Sequence, residues 1–254
     1  MLFKRVIPSI LFSDGGLHKT IKFKNKKYVG DPINTVRLFN DLEVDELILL
    51  DIDASKQNRK PNFELIKEIA SECFMPVCYG GGVRSLEDAE RIFQAGVEKV
   101  AINHQSLNNK QLITDLAQVF GSQSIVLSVD IKKNFFGSYK LFSHKEKKKL
   151  SVSYLQHIKE CIEAGVGEVL LTSVDQEGTL SGFDLDLIAE VASAVNVPVI
   201  AHGGGSTISD IQSAFKEGAC AVSCGAKFIY EGPHRAVLIN YLNQSEYNII
   251  NPIE

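Results

Sequence analysis

Short apolar runs alternate with amphipathic segments along the whole chain. Eight runs read as strands: 6–10 (VIPSI), 46–52 (ELILLDI), 76–80 (PVCYG), 99–103 (KVAIN), 125–130 (IVLSVD), 168–174 (EVLLTSV), 198–203 (PVIAHG) and 221–225 (AVSCG). Between them, apolar residues recur every three or four positions, as in NFELIKEIASEC (62–73) and SLEDAERIFQAG (85–96), a helical period. Nearly continuous apolar strands separated by helices predict a parallel sheet covered on both faces. Eight such units in 254 residues favour an α/β fold of the (β/α)8 TIM-barrel type over an open doubly wound sheet.

The pattern also repeats. Residues 75–100 match residues 197–222 at a constant offset, pairing Pro76 with Pro198, Gly81 with Gly203, Gly82 with Gly204, Asp88 with Asp210 and Gly96 with Gly218. At the same offset Glu46 pairs with Glu168 and Asp53 with Asp175. The first and fifth strands also overlay, Ser9 on Ser128 and Leu11 on Asp130. This predicts one domain, residues 1–254, made of half-barrel repeats of about 1–120 and 121–254.

Composition changes little. Charged residues are 23% and net charge is −4, which argues against nucleic acid or an anionic membrane as the main partner. No apolar run reaches the ~20 residues of a membrane span, and no secretory leader is apparent. Five cysteines without zinc-type spacing read as reduced, buried thiols of a cytoplasmic protein; neither metal nor cofactor is called for.

Barrel active sites lie at the C-terminal strand ends. Glycine-rich turns follow strands three (YGGGVRS) and seven (AHGGGST), beside strand ends INH (102–104) and SCGAK (223–227). Glycine lets backbone N–H groups approach a phosphate, so the symmetric pair predicts a ligand phosphorylated at both ends; plain βα turns are the alternative. Asp130 ends an apolar strand, where an acid packs poorly. It either serves ligand chemistry or forms a cap or a salt bridge to Lys132 or Lys133. At the strand starts Arg5, Glu46, Lys99 and Glu168 alternate in sign. They form either a ring of paired charges across the barrel floor or solvated rim pairs. The basic segment from Asp14 to Pro32, with Lys19, is either a lid or a solvated loop.

Nearly the full chain resembles the cyclase subunit of imidazole glycerol phosphate synthase, through KRVIPSI, GDPINTVRLFN, DELILLDIDAS, GGGVRSLEDAERIFQAGVEKVAIN, FGSQSIVLSVD, GEVLLTSVDQEGTLSGFDL and GGGSTISDIQSAFKEGA. The resemblance implies a glutaminase partner on the N-terminal face, with ammonia passing a gate of Arg5, Glu46, Lys99 and Glu168. It implies a bisphosphate held by Gly82 and Asn103 on one side and Gly178, Gly204 and Gly225 on the other, with Lys19, expected to be catalytic beside Asp130, on a mobile loop. Acids at positions 11 and 130 would close the imidazole ring. Several residues depart from the family pattern. Leu11 stands for an aspartate, His104 and Ala226 for small hydroxyl residues among the phosphate contacts, and His202 for a serine. Asp53 stands for a threonine and Glu177 for an aspartate; with Asp51 and Thr172 these complete the expected pocket. The gate charges all match. The expectation is a divergent second copy that relays ammonia to another acceptor, such as a sugar amidotransferase of surface-polysaccharide synthesis. A working cyclase of histidine biosynthesis and a ligand-sensing activator of the glutaminase are the alternatives.

Overall fold

The computed structural model describes residues 3–252. The eight expected strands form the barrel: β1 (Arg5–Ser13), β2 (Leu47–Asp51), β3 (Val77–Gly80), β4 (Lys99–Ile102), β5 (Ile125–Lys133), β6 (Glu168–Ser173), β7 (Val199–His202) and β8 (Ala221–Cys224). Each pairs in parallel with the next, and β8 pairs with β1, so the (β/α)8 barrel is closed.

Strand residues point alternately in and out. Outward residues such as Val6, Ile10, Leu49, Val100, Leu127 and Leu171 join the large core beneath the helices. Inward residues build layers. Directly above the strand starts lies an apolar layer of Ile7, Ile48, Cys78, Ala101, Val126, Leu170, Ile200 and Ala221. One step further along the strands come Ser9, Ser128, Thr172, His202 and Ser223, and then Leu11 and Asp130 at the mouth. The overlay of Leu11 on Asp130 thus pairs residues at equivalent inward positions.

The repeated turns fold alike. Gly81 and Gly203, Gly82 and Gly204, and Gly96 and Gly218 all have positive φ. Ser85 and Thr207 cap the following helices. Asp88 and Asp210 each accept the N–H of the residue four before, Arg84 and Ser206, at 3.1 Å. Such reciprocal capping satisfies donors that a helix start leaves open.

The basic segment after β1 is a correction to the loop expectation. It forms an antiparallel hairpin, Gly16–Ile21 with Lys24–Gly30, and the first arm continues the sheet from β1. A second hairpin pairs the end of β5 with Tyr139–Ser143, which in turn pairs with Lys148–Lys149. The cysteines are free, but only Cys78, Cys161 and Cys224 are buried; Cys73 is half-buried and Cys220 exposed, so the buried reading fails for these two. Among the described residues, no helix is long and apolar enough to cross a membrane.

Candidate active site at the barrel mouth

The strand ends open into a cavity of two lobes. The larger is lined by Gly82, Asn103, His104, Asp130, Asp51 and Thr172, among others. The smaller is lined by Lys19, Gly178, Gly204, Gly225 and Ala226. Leu11, Glu177 and His202 line both and form the waist. The structure therefore brings together all the expected pocket residues except Asp53, which the cavity does not include.

Close approach explains the glycines. A Cβ at Gly204 would lie 2.0 Å from the carbonyl oxygen of Gly182, and one at Gly178 would lie 2.1 Å from that of Thr20. At Gly225 the obstacle is the Lys19 ammonium, 1.9 Å away. Lys19 is therefore not on a solvated loop. It sits on the first hairpin arm with its side chain buried, and Nζ donates to the carbonyl oxygen of Ser9 at 3.0 Å. Burial pulls its pKa down to about 8, against the attraction of Glu177.

Asp130 makes no ion pair with Lys132 or Lys133. Lys133 instead pairs with Asp184 at 3.2 Å, and Lys132 lies over the Phe142 ring. Asn103 Nδ2 donates to Asp130 Oδ2 at 2.9 Å. Burial nevertheless pushes the carboxyl up to about 7, and Glu177 adds to the rise. A carboxyl near neutrality can donate or accept a proton at working pH. Opposite it, Leu11 can do neither.

The other polar groups are engaged with the protein. Glu177 holds the first hairpin down, accepting from Thr20 Oγ1 and the Phe23 N–H, both at 2.9 Å. Asp51 accepts from Arg59 at 2.9 and 3.0 Å and from the N–H of Ala54 at 3.0 Å. Asp53 accepts from Ser13 and pairs with Lys26. His202 lies 3.1 Å from Ser9 Oγ and 3.2 Å from Thr172 Oγ1, and burial drives its pKa down to about 3, so the ring is neutral.

At the floor the inward reading of the charges holds. Arg5 pairs with both Glu46 and Glu168, and Lys99 pairs with the same two at 3.0 and 2.9 Å. The four side chains close a ring in which both glutamates are buried and both cations partly exposed. The attraction of the glutamates outweighs desolvation and raises the pKa of both cations. Among the described residues, no cluster of three His, Cys, Asp or Glu could hold a metal.

Residues 5–235 match the histidine biosynthesis protein family. The chain belongs to this family. Its relatives include a Pseudomonas aeruginosa protein provisionally named imidazole glycerol phosphate synthase subunit hisF2. That protein is 51% identical over 98% of this chain and 100% of its own length. A Leptospira interrogans protein, provisionally named as the HisF subunit, is 43% identical over 97% of this chain and 98% of its own. The HisF subunit of Streptococcus sanguinis is 39% identical over 91% of this chain and 92% of its own. Within this family frame, several of the residues that sequence reasoning missed come from the two hairpins and the loop after β2. Phe23, Lys56, His144 and Lys145 all reach the larger lobe. Their segments are polar and carry no period, so nothing in the pattern marked them; only the lysine density hinted at an anionic ligand.

Proposed function

We propose that this chain is a HisF-type synthase subunit that receives ammonia at its floor from a docked glutaminase and delivers it to an acceptor at the mouth. The closed ring of Arg5, Glu46, Lys99 and Glu168, set beneath an apolar interior, carries this reading. Neutral ammonia crosses an apolar layer far more readily than ammonium, so a charged floor under the apolar layer of Ile7, Ile48, Val126 and Leu170 suits a path that passes only the neutral form. The relatives' names supply the synthase, and the resemblance supplies the glutaminase. One barrel of two half repeats, with the site where both copies meet, is part of the same proposal.

The acceptor differs from the usual one. Imidazole ring closure draws on two acids, and this chain carries Leu11 where the first would stand. Losing one acid–base group costs about 10²–10⁴ in rate. The reading is therefore a divergent copy serving amidation of another acceptor, such as a sugar in surface-polysaccharide synthesis, with a phosphorylated ligand at the barrel mouth. Gly82, Asn103 and His104 would take one phosphate and Gly178, Gly204, Gly225 and Ala226 the other, with Lys19 beside the second.

One observation favours a second reading, a working cyclase. The Asp130 carboxyl is poised near 7, where a single group could serve as acid and base in turn. A histidine auxotroph lacking its own cyclase decides between them. No rescue by well-expressed, folded protein is expected, and rescue at wild-type growth rate overturns the divergent-copy reading.

A further inference from the structure

Ser106 and His157 line neither lobe of the cavity, yet hydrogen bonds join them to it. Ser106 is on the short helix His104–Asn108 after β4, and His157 is on the helix Tyr154–Glu163 that follows the second hairpin. Both are buried, and His157 shares the inner face of its helix with Tyr154, Ile158 and Cys161. A polar ring on such a face is costly unless it is hydrogen-bonded. The bonds here have a definite direction. Ser106 Oγ donates to the main-chain carbonyl oxygen of Asn103 at 2.6 Å, and the Ser106 N–H donates to the same oxygen at 3.0 Å. A hydroxyl has one proton, so toward His157 Nε2, 3.1 Å away, Ser106 accepts. Burial and Lys110 of the preceding helix outweigh Glu160 and pull the His157 pKa down to about 4. The ring is therefore neutral with its proton on Nε2, and Nδ1 faces the Cys161 thiol at 4.0 Å.

The other end of this chain is the acid at the mouth. Asn103 stands at the N-cap of the short helix but makes no side-chain cap bond. Its amide turns into the barrel instead and donates to Asp130 Oδ2 at 2.9 Å. The other groups acting on Asp130 are the Thr172 hydroxyl, a second donor, and Glu177, whose charge opposes its ionisation. The two bonds from Ser106 fix the Asn103 main chain, and the main chain fixes where the amide points. The internal repeat separates this arrangement from the needs of the scaffold. At the offset that pairs Gly81 with Gly203, Asn103 pairs with Gly225 and Ser106 with Phe228. The equivalent short helix, Ala226–Ile229, forms after β8 with neither the amide nor the hydroxyl.

We propose that His157 and Ser106 are positioning residues for Asp130: together they hold the Asn103 main chain so that its side-chain amide stays on the carboxylate. The proposal rests on Asp130 as the acid–base group of the mouth and extends its control to a helix outside the cavity. A donor to the charged form of a carboxyl lowers its proton affinity, so the pair works against the burial that raises it. Linked hydrogen bonds of this kind act together, and removing one member loosens the rest.

The test uses the full chain with ¹³C at the aspartate carboxyls and ¹⁵N in histidine, titrated by NMR, with Asp130→Asn assigning the carboxyl signal. Ser106→Ala is expected to raise the Asp130 midpoint by about one pH unit, the loss of one hydrogen bond to the charged form. Asn103→Ala should raise it as far, and the double variant no further than Asn103→Ala alone, because both act through one bond. His157→Gln, which still offers an amide N–H to Ser106, should leave the midpoint in place, and His157→Phe should raise it. A Ser106→Ala chain that is less stable but titrates at the parent midpoint overturns the proposal, since the pair is then only structural. If the variants do not fold, the parent chain decides. His157 is expected as the Nε2–H tautomer from pH 5 to 8, with a small step in its Nε2 shift where Asp130 titrates. An Nδ1–H tautomer, or an Nε2 shift without that step, overturns the proposal. Residual ring closure from an ammonium salt and the bisphosphate substrate of imidazole ring closure is followed over the same pH range. A moved midpoint with an unmoved pH profile overturns the acid–base role of Asp130 and leaves the positioning in place; an unmoved midpoint overturns the positioning alone.

Discussion

Replacing Asp130 by asparagine should make the protein more stable, and increasingly so as pH rises. The Asp130 carboxyl is buried on β5 at the barrel mouth beside the side-chain donors Asn103 and Thr172, and burial still lifts its pKa from 3.8 to about 7. The folded state therefore keeps a proton that the unfolded chain has released between about pH 4 and pH 7. Folded stability contributed by this group is complete below about pH 4, declines through that window and is gone above about pH 7. At about 1.4 kcal/mol per pH unit the full cost is about 4 kcal/mol. Asparagine keeps the shape and an acceptor for Asn103, and it never ionises. Asp130→Asn should match the parent chain near pH 4 and exceed it by about 2–4 kcal/mol at pH 8. Urea unfolding followed by far-UV circular dichroism measures this, the chain having no tryptophan for fluorescence. A stability difference that stays constant from pH 4 to 8 would show that Asp130 ionises normally and would remove the argument that it is poised for proton transfer.

Other consequences follow from the floor and the hairpin. Glu168→Ala opens the charge ring and leaves Arg5 and Lys99 with one partner each. It should cost about 2 kcal/mol, less than the ~3–5 kcal/mol of a fully buried pair because both cations are partly exposed; an unfolding midpoint unchanged from the parent contradicts the ring's closure. Gly178→Ala drives a Cβ to 2.1 Å from the Thr20 carbonyl oxygen and should lift the first hairpin, speeding tryptic cleavage after Lys22 and Lys24 about tenfold. Gly137→Ala has a similarly positive φ but meets nothing within 4 Å, so it should lose only ~1 kcal/mol and leave cleavage unchanged. Equal cleavage in the two variants would contradict the proposed contact.

The barrel was legible because its strands are buried on both faces. Runs such as ELILLDI and IVLSVD stand out from the amphipathic helices around them, and the repeat fixed which strand ends are equivalent. The hairpins were not legible. The arm Lys24–Gly30 is exposed over five of its seven residues and reads as a solvated loop. Its strand character comes from pairing with Gly16–Ile21 and from Glu177, some 150 residues away, which accepts from the Phe23 N–H. The same non-local cause hid His144, whose segment HKEKKK has no period. Asp130 was legible as an acid ending an apolar strand, but sequence left a salt bridge to Lys133 open; the closer partner for that lysine, Asp184, arrives only through the fold.

The central claim, ammonia delivery to a mouth that lacks one acid, is tested most directly by one assay. The purified chain with a glutaminase of the proposed kind is given glutamine labelled at the amide nitrogen and the bisphosphate substrate of imidazole ring closure, and the products are read by mass spectrometry. The account predicts labelled ammonia production with imidazole glycerol phosphate formed at no more than about a hundredth of an ordinary cyclase rate, and a rise when Leu11→Asp places an acid at position 11. Formation of labelled imidazole glycerol phosphate by the parent chain at an ordinary cyclase rate would contradict it.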